Sequence, residues 1–305
     1  MYEKFYGLSE KPFAVSPDPA YLFLGRHHRH ALTLLQYALV ESAGFVLMTG
    51  EVGCGKTTVV QHFLERPGSG LRVGYMFNTH SGMGPLLPWI IEALGWDPGA
   101  DTATGSYRQF TSLARQEYQQ GRRLVLVIDE AQNLTASQLE ELRVLSNLNA
   151  GKQMLLQVVL VGQPELRATL GRPELRQFAQ RIITDYHVGS LHAGETQEYV
   201  RHRLKVAGGS PDLFSADAVL RLHEASGGTP RIINILCDNA LLYGYAEQRP
   251  AIGLDLVSRV LKDRAGSVLP LRPAAMAAPA PAPALSSVSP VAVAVSAAPE
   301  PAFAG

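Results

Sequence analysis

Short apolar runs alternate with helical stretches through the first 190 or so residues of the chain. Two of the runs, 45–48 (FVLM) and 124–128 (LVLVI), contain no polar residue and end at turn or polar residues. Such runs are typical of strands that are buried on both faces of a parallel sheet. Further strand candidates lie at 71–77, 154–161 and 184–188. The pattern predicts an α/β fold with a five-stranded parallel sheet flanked by helices.

The remainder of the chain has two different patterns. Residues 191–265 are helical in character throughout, which predicts a small all-helical domain. Residues 266–305 are mostly Ala, Pro, Val and Ser, with Arg272 and Glu300 as the only charges. Prolines at this density do not fit a helix or a central strand. We therefore expect an α/β domain over 1–190, a helical domain over 191–265 and a disordered Pro/Ala-rich tail over 266–305.

Charge and cysteine content narrow the function classes. The 305 residues include 27 Lys and Arg and 27 Asp and Glu, so the formal net charge is zero. This balance gives no bulk attraction to nucleic acid or to a membrane surface. Cys54 and Cys237 lie far apart, and the sequence shows no secretory leader, so we expect free thiols in a reducing compartment. No apolar run reaches the roughly 18 residues needed to cross a bilayer, and we expect a cytoplasmic location.

The segment 49–58 reads TGEVGCGKTT and stands between the strand candidate 45–48 and a helical stretch. A GxxxxGK[ST] pattern in this context is the Walker A loop of P-loop nucleotide hydrolases. Its glycines let successive N–H groups face one anion, and the helix start adds partial positive charge. Lys56 would bridge the β- and γ-phosphates, and the Thr57 hydroxyl would ligate Mg²⁺. The expected nucleotide contacts are Gly50, Glu51, Val52, Gly53, Cys54, Gly55, Lys56, Thr57 and Thr58.

Two carboxylates, Asp129 and Glu130, directly follow the buried run 124–128. Open parallel sheets bind their ligands at the carboxyl ends of the strands. Asp129 would hold Mg²⁺ through water, and Glu130 would polarise the attacking water. A base beside a metal-binding aspartate favours hydrolysis of a nucleotide over transfer to a small molecule. An acidic helix cap is the alternative, but Thr135 or Ser137 gives the next helix a better start.

The strand candidates on either side of these carboxylates complete the expected sheet. The run 71–77 is expected to lie between the Walker A strand and the Asp–Glu strand, as in the additional-strand P-loop ATPases. Gln163 follows the run 154–161, where its side chain would reach between the two motifs and sense the γ-phosphate. A turn residue before Pro164 is an equally good interpretation of Gln163.

Arginines provide further candidates. Arg181 ends a helical stretch just before the run 184–188, and it would complete the nucleotide site of a neighbouring subunit as an arginine finger. Arg176 is the second choice for this role. Arg231 stands in the first turn of a helix opened by Pro230. A cation there opposes the helix dipole, which is resolved if Arg231 faces a triphosphate.

Two minor features have simple interpretations. His27, His28 and His30 open a helical stretch, and we interpret them as a polar helix start, since a metal site would need further ligands at defined spacing. Cys54 lies in an anion-binding loop at a helix start, where the pKa of a thiol can fall. Because the loop binds through its backbone, we interpret the Cys54 side chain as incidental, with redox sensitivity as an alternative hypothesis.

A set of characteristic motifs extends from Met1 to about Arg264. It comprises the opening MYEKFYGLSEKPFAVSPDPAYLFLGRHHRHALTLLQYAL, then TGEVGCGKTT, LVIDEAQNL, LEELRVLSNL, LVGQPELR, FAQRI and SGGTPRIINILCDNAL. In these motifs the chain resembles the AAA+ ATPases of the ExeA/GspA group, which serve general secretion, pilus biogenesis and exosortase-linked exopolysaccharide loci. The stretches NTH, EYVRHRLKVAGG and LLYGYAEQ resemble the exosortase-associated version most closely.

The resemblance implies a role for each candidate and a helical lid over 191–265. It also implies that the segment 12–23 packs on the adenine, whereas the residues alone equally allow ordinary core packing. The family's sensor 1 is commonly Asn, Ser or Thr, from which Gln163 departs. The implied roles are Walker A for Lys56 and Thr57, Walker B for Asp129 and Glu130, sensor 1 for Gln163, arginine finger for Arg181 and sensor 2 for Arg231.

The resemblance further implies ATP and Mg²⁺ as cofactors and a homo-oligomer, either a ring or a dimer. The expected function is ATP hydrolysis that drives or switches assembly of an envelope secretion or exopolysaccharide export system, with the chain peripheral to the inner membrane. From the sequence we expect neither the membrane span nor the peptidoglycan-binding domain that secretion-type relatives have. One alternative is a DNA-handling, transposition-type ATPase, which would predict a basic stripe or a DNA-reading domain. Another is a scaffold that binds ATP but hardly hydrolyses it.

Overall fold

The computed structural model describes residues 1–15, 18–40, 44–65, 70–77, 79–99, 102–150 and 153–264. The tail expected over 266–305 lies outside these residues. The strands are β1 (Phe45–Gly50), β2 (Leu71–Met76), β3 (Arg123–Ile128), β4 (Asn149–Ala150), β5 (Gln153–Met154), β6 (Leu156–Gly162) and β7 (Ile182–Val188). The helices are α1 (Tyr2–Phe5), α2 (Arg26–Val40), α3 (Lys56–Glu65), α4 (Leu87–Ala93), α5 (Ala103–Gln119), α6 (Ala136–Leu145), α7 (Glu165–Leu170), α8 (Arg176–Ala179), α9 (Ala193–Val206), α10 (Ala216–Ser226), α11 (Pro230–Ala246) and α12 (Leu254–Arg264).

Five parallel strands form one sheet in the order β2-β3-β6-β1-β7, and β4 and β5 form a small antiparallel pair. The five expected strands are therefore confirmed. The expected position of the 71–77 strand is wrong, because β2 lies at the sheet edge and β6 lies between β1 and β3. Burial agrees with this order, since every residue of β6 is buried whereas most of β2 is only half-buried.

Helices cover both faces of the sheet. Successive residues of β3 alternate between the faces, as strand geometry requires. Leu124 and Leu126 face the apolar cluster that α4, α5 and α6 complete. Val125 and Val127 face the cluster formed with α2 and α3. The carboxyl ends of β1 and β3 thus lie at the same edge of a covered sheet, with β6 between them.

The helices α9–α12 share a third apolar core with the start of the chain. Tyr2, Tyr6, Phe13 and Tyr21 are all buried in this cluster. The Tyr2 hydroxyl donates a hydrogen bond to Asp238 on α11. The first 21 residues, which the sequence grouped with the α/β part, therefore pack their aromatic side chains against the helical part. The boundary near residue 190 stays a prediction.

The chain passes between the helical part and the sheet twice, once at Arg26, where α2 begins, and once at His192, just before α9. The buried carboxylate of Glu195 on α9 accepts hydrogen bonds from the backbone N–H of Arg26, where α2 begins, and of His192 at 3.2 Å. The Glu195 side chain therefore holds both of these connections in place. Within the residues that the structure describes, no helix combines the length and apolar character needed to cross a bilayer.

Gly228 packs against Leu191, next to the second of these connections. We expect Gly228→Ala to lower the free energy of unfolding by about 2–4 kcal/mol. Its φ is +73°, and a Cβ at this position would lie 1.9 Å from the Leu191 carbonyl oxygen. The Gly228 carbonyl also accepts a hydrogen bond from the Leu191 N–H at 2.9 Å, so the backbone cannot move away freely. Urea unfolding measures the effect. Gly194→Ala is the matched control, because its Cβ would meet nothing within 4 Å; equal midpoints for both variants would contradict the prediction.

Candidate nucleotide-binding site

The loop between β1 and α3 curls around its own lysine. Lys56 is 6% exposed, and its ammonium donates hydrogen bonds to the carbonyls of Gly50 at 2.7 Å and Glu51 at 3.0 Å. Gly53 and Gly55 have φ values of +80° and +99°, which let the loop turn back without steric strain. The positive charge of Lys56 therefore lies inside the loop at the start of α3, as an anion site requires.

Thr57 and Asp129 bring the two predicted motifs into direct contact. The Thr57 hydroxyl donates to Asp129 Oδ2 at 2.8 Å, and the Tyr75 hydroxyl donates to the same oxygen at 3.1 Å. Burial and the neighbouring Asp129 raise the pKa of the Tyr75 phenol, so it remains a donor at neutral pH. Asp129 is 4% exposed. Hydroxyl and carboxylate oxygens of this kind are the protein ligands that Mg²⁺ uses beside water and phosphate.

Glu130 occupies an unusual backbone conformation at the end of β3. Its φ of 52° and ψ of 36° are left-handed, which costs energy for a residue with a side chain. The buried Thr79 hydroxyl donates to the Glu130 carbonyl at 2.8 Å and stabilises this conformation. The Glu130 carboxylate accepts hydrogen bonds from Gln132 and, at 3.2 Å, from Gln163. The Gln163 side chain therefore lies at the predicted base.

Arg231 places the helical part against the phosphate-binding loop. Its backbone N–H donates to the Gly53 carbonyl at 3.3 Å, and a Cβ at Gly53 would lie 2.5 Å from the Arg231 Cβ. Only glycine at position 53 allows this approach. The exposed guanidinium of Arg231 lines the same cavity as Lys56, Thr57 and Glu130.

This cavity has a volume of about 460 Å³ and lies between the loop, the N-terminal segment and α11. Tyr21 and Phe23, from the segment for which adenine packing is predicted, line it. Phe13 instead packs edge-on against Phe214 at 5.9 Å within the helical core. The buried Arg203 guanidinium lies 4.6 Å above the Tyr21 ring and donates to the Pro12 carbonyl, so α9 holds the N-terminal segment against the cavity.

The two candidate finger arginines lie away from this cavity. Arg181 precedes Ile182, which pairs with Phe45 at the start of β1, whereas the loop follows Gly50 at the other end. Six residues of strand separate the two ends by roughly 17–20 Å. The Arg181 guanidinium donates to Ser146 Oγ at 2.9 Å, and the Arg176 side chain is exposed. Neither arginine is brought to the loop of its own chain.

Gln132 and His28, for which no role in the site was predicted, form hydrogen bonds with residues of the site. Gln132 Oε1 accepts a hydrogen bond from the Gln163 N–H at 3.0 Å, which links the ends of β3 and β6. The buried imidazole of His28 contacts the Cys54 carbonyl at 2.7 Å. The position of Gln132 two residues after Glu130 was the available sequence signal, but spacing alone did not identify its partner.

The burial of Cys54 does not favour the redox hypothesis. The thiol is 1% exposed, and this burial raises its pKa despite the nearby Lys56. A neutral, buried thiol is neither a good nucleophile nor readily oxidised. Among the described residues no group of three or more His, Cys, Asp or Glu side chains has metal-binding geometry.

Comparisons with known proteins support the fold. A family profile described as "AAA domain" matches residues 40–170. The ORC2 protein of Aeropyrum pernix, solved in ADPNP–ADP complexes, superposes with a TM-score of 0.63 at 17% identity, covering 86% of this chain and 73% of that one. Cdc6p from Pyrobaculum aerophilum superposes with a TM-score of 0.61 at 15% identity, covering 81% and 71% of the two chains. The fold is that of an AAA-type P-loop NTPase.

The sequence comparison is more specific. General secretion pathway protein A of Aeromonas hydrophila is 42% identical over 252 residues, which make up 81% of this chain and 45% of that protein. The chain thus has an AAA-domain match over residues 40–170 and is similar to general secretion pathway protein A, of whose length it spans less than half.

Proposed function

We propose that the chain binds ATP with Mg²⁺ in the cavity between the phosphate-binding loop and α11, and hydrolyses it to ADP and phosphate. The observation that carries this proposal is the convergence of four groups on one cavity. They are the Lys56 ammonium, the Thr57 hydroxyl (which donates a hydrogen bond to Asp129), the Glu130 carboxylate and the Arg231 guanidinium. AAA-type P-loop proteins use such groups for nucleotide hydrolysis, which supports the proposal.

Each binding group would neutralise a different part of the negative charge of the triphosphate. The loop N–H groups and Lys56 would bind the β- and γ-phosphates at the N-terminus of α3. Thr57 and Asp129 would hold Mg²⁺, which neutralises phosphate charge when bound. Arg231 would contact the phosphates from the helical part, which makes the contact between loop and lid depend on the bound nucleotide.

Glu130 is the proposed base that polarises the attacking water. Gln132 and Gln163 both donate to its carboxylate and hold it at the end of β3. An amide that bonds to the base is also placed to respond when a γ-phosphate leaves. This contact supports the sensor role for Gln163, although the residue differs from the usual Asn, Ser or Thr.

The cellular role that we infer is a nucleotide-dependent switch in assembly of an envelope secretion machinery. The 42% identity to general secretion pathway protein A supports this inference. The homo-oligomer, the peripheral association with the inner membrane and the exosortase-linked export variant are further proposals from the same resemblance. The DNA-handling alternative has the likeness to ORC2 and Cdc6p in its favour, but that likeness extends only to the fold.

We expect the purified chain to release phosphate from ATP in the presence of Mg²⁺ and to stop when EDTA removes the metal. The reason is that Asp129 and Thr57 offer two oxygen ligands to a metal that must also bind phosphate. A phosphate-release assay with and without duplex DNA tests the proposal. Strong stimulation by DNA would favour the DNA-handling function instead. Nucleotide-induced thermal stabilisation without phosphate release would favour the scaffold.

A further inference from the structure

His28 makes two hydrogen bonds that together fix its protonation. The residue lies in the first turn of α2 and is 5% exposed. Its Nδ1 accepts from the Gly25 N–H at 3.2 Å, in the manner of a capping-box side chain. Its Nε2 lies 2.7 Å from the Cys54 carbonyl oxygen. Because Nδ1 must be an acceptor, the proton is on Nε2 and is donated to Cys54.

The surroundings keep this imidazole neutral. Burial lowers the pKa of His28, and Arg29 on the same helix acts in the same direction. The Cys54 carbonyl and Glu195 on α9 oppose this effect, but the net shift is downward. The single tautomer that satisfies both partners is therefore the one present at neutral pH.

The contact with Cys54 acts on the phosphate-binding loop through peptide geometry. The peptide bond between Cys54 and Gly55 is trans, so its C=O and N–H point in opposite directions. Because the carbonyl points at His28, the Gly55 N–H points away from His28. Gly55 lines the nucleotide cavity, and its N–H belongs to the turn that precedes α3.

We propose that His28 is a positioning residue for nucleotide binding, which aims the Gly55 N–H at the bound phosphates by holding the Cys54 carbonyl. The inference rests on the proposed function, because it assigns a determinant of affinity to the same site. The helix-capping contact with Gly25 is a separate role of the same ring.

The two roles can be separated by two amide substitutions. His28→Gln places a donor at the reach of Nε2 and can keep the contact with Cys54. His28→Asn places an acceptor at the reach of Nδ1 and can keep the cap on Gly25, but it is too short to reach Cys54. His30→Asn is the matched control, because His30 is exposed on the same helix. The measurement is the Kd of each full-length variant for a fluorescent ADP analogue, with melting temperature taken without nucleotide.

The expected result is an affinity close to wild type for His28→Gln and about 10- to 100-fold weaker binding for His28→Asn, the effect of misaligning one hydrogen bond to a charged group. Equal affinities for the two variants, or the reverse order, would overturn the proposal. So would loss of the folded state in His28→Asn while His30→Asn remains folded, because His28 would then belong to the fold. Failure of the wild type to bind nucleotide would instead refute the proposed function itself.

Discussion

Glu130→Gln should lower ATP turnover by about 10²–10⁴-fold, the range for loss of a general base, while ATP affinity stays close to wild type. The amide keeps the size of the side chain but cannot accept a proton from water. Gln132 and Gln163 both donate to the Glu130 carboxylate, so an amide at position 130 can still accept from them through its oxygen. The backbone should remain in place, since Thr79 holds the Glu130 carbonyl.

Single-turnover phosphate release and equilibrium binding of ATP separate the two effects. Glu92→Gln on α4 is the control for removal of an exposed carboxylate away from the cavity. Turnover within twofold of wild type for Glu130→Gln would show that another group polarises the water. A parallel loss of ATP affinity would assign Glu130 to nucleotide binding instead of chemistry.

Arg181→Ala should lower turnover by about 10³–10⁵-fold in the assembled protein, which is the effect of removing an arginine finger. Arg181 lies at the opposite end of β1 from its own phosphate-binding loop, so a finger role requires the loop of a neighbouring subunit. A mixture of Arg181→Ala with Lys56→Ala should regain activity, because one chain supplies the intact loop and the other supplies the arginine.

Arg181 also has a contact within its own chain, which the design must take into account. Its guanidinium donates to Ser146 Oγ, so melting temperatures are needed to show that each variant is folded. Arg176→Ala is tested in the same way as the second candidate. Recovery only in mixtures with Arg176→Ala would transfer the role to Arg176. Absence of recovery at every mixing ratio for both variants would exclude a finger supplied in trans by either residue.

Much of the site could be predicted because its chemistry is local in sequence. The glycine loop and the Asp129–Glu130 pair each directly follow an apolar strand, and strand ends define where ligands bind. The contact of Arg231 with the loop was anticipated from an electrostatic anomaly, a cation in the first turn of a helix. Parallel strands joined by helical crossovers leave the strand order of the sheet open. For this reason the predicted position of β2 between β1 and β3 is wrong, and β6 occupies it.

The residues that escaped prediction act over long separations. His28 contacts a carbonyl 26 residues away, and Gln132 accepts a hydrogen bond from a backbone N–H 31 residues away. A polar residue in isolation indicates only that some partner is needed, not which one. For Cys54 the sequence identified the positive surroundings correctly, but burial of the thiol outweighs them.

The packing of the chain's start on α11 has a consequence for biosynthesis. Tyr2 and its partner Asp238 are 236 residues apart, so the first aromatic residues leave the ribosome long before the helices that cover them. At roughly 5–20 residues per second the delay is roughly 10–50 seconds. During this interval Tyr2, Tyr6 and Phe13 are exposed apolar surface on the nascent chain. Transient cover by a chaperone would protect them until translation reaches α11.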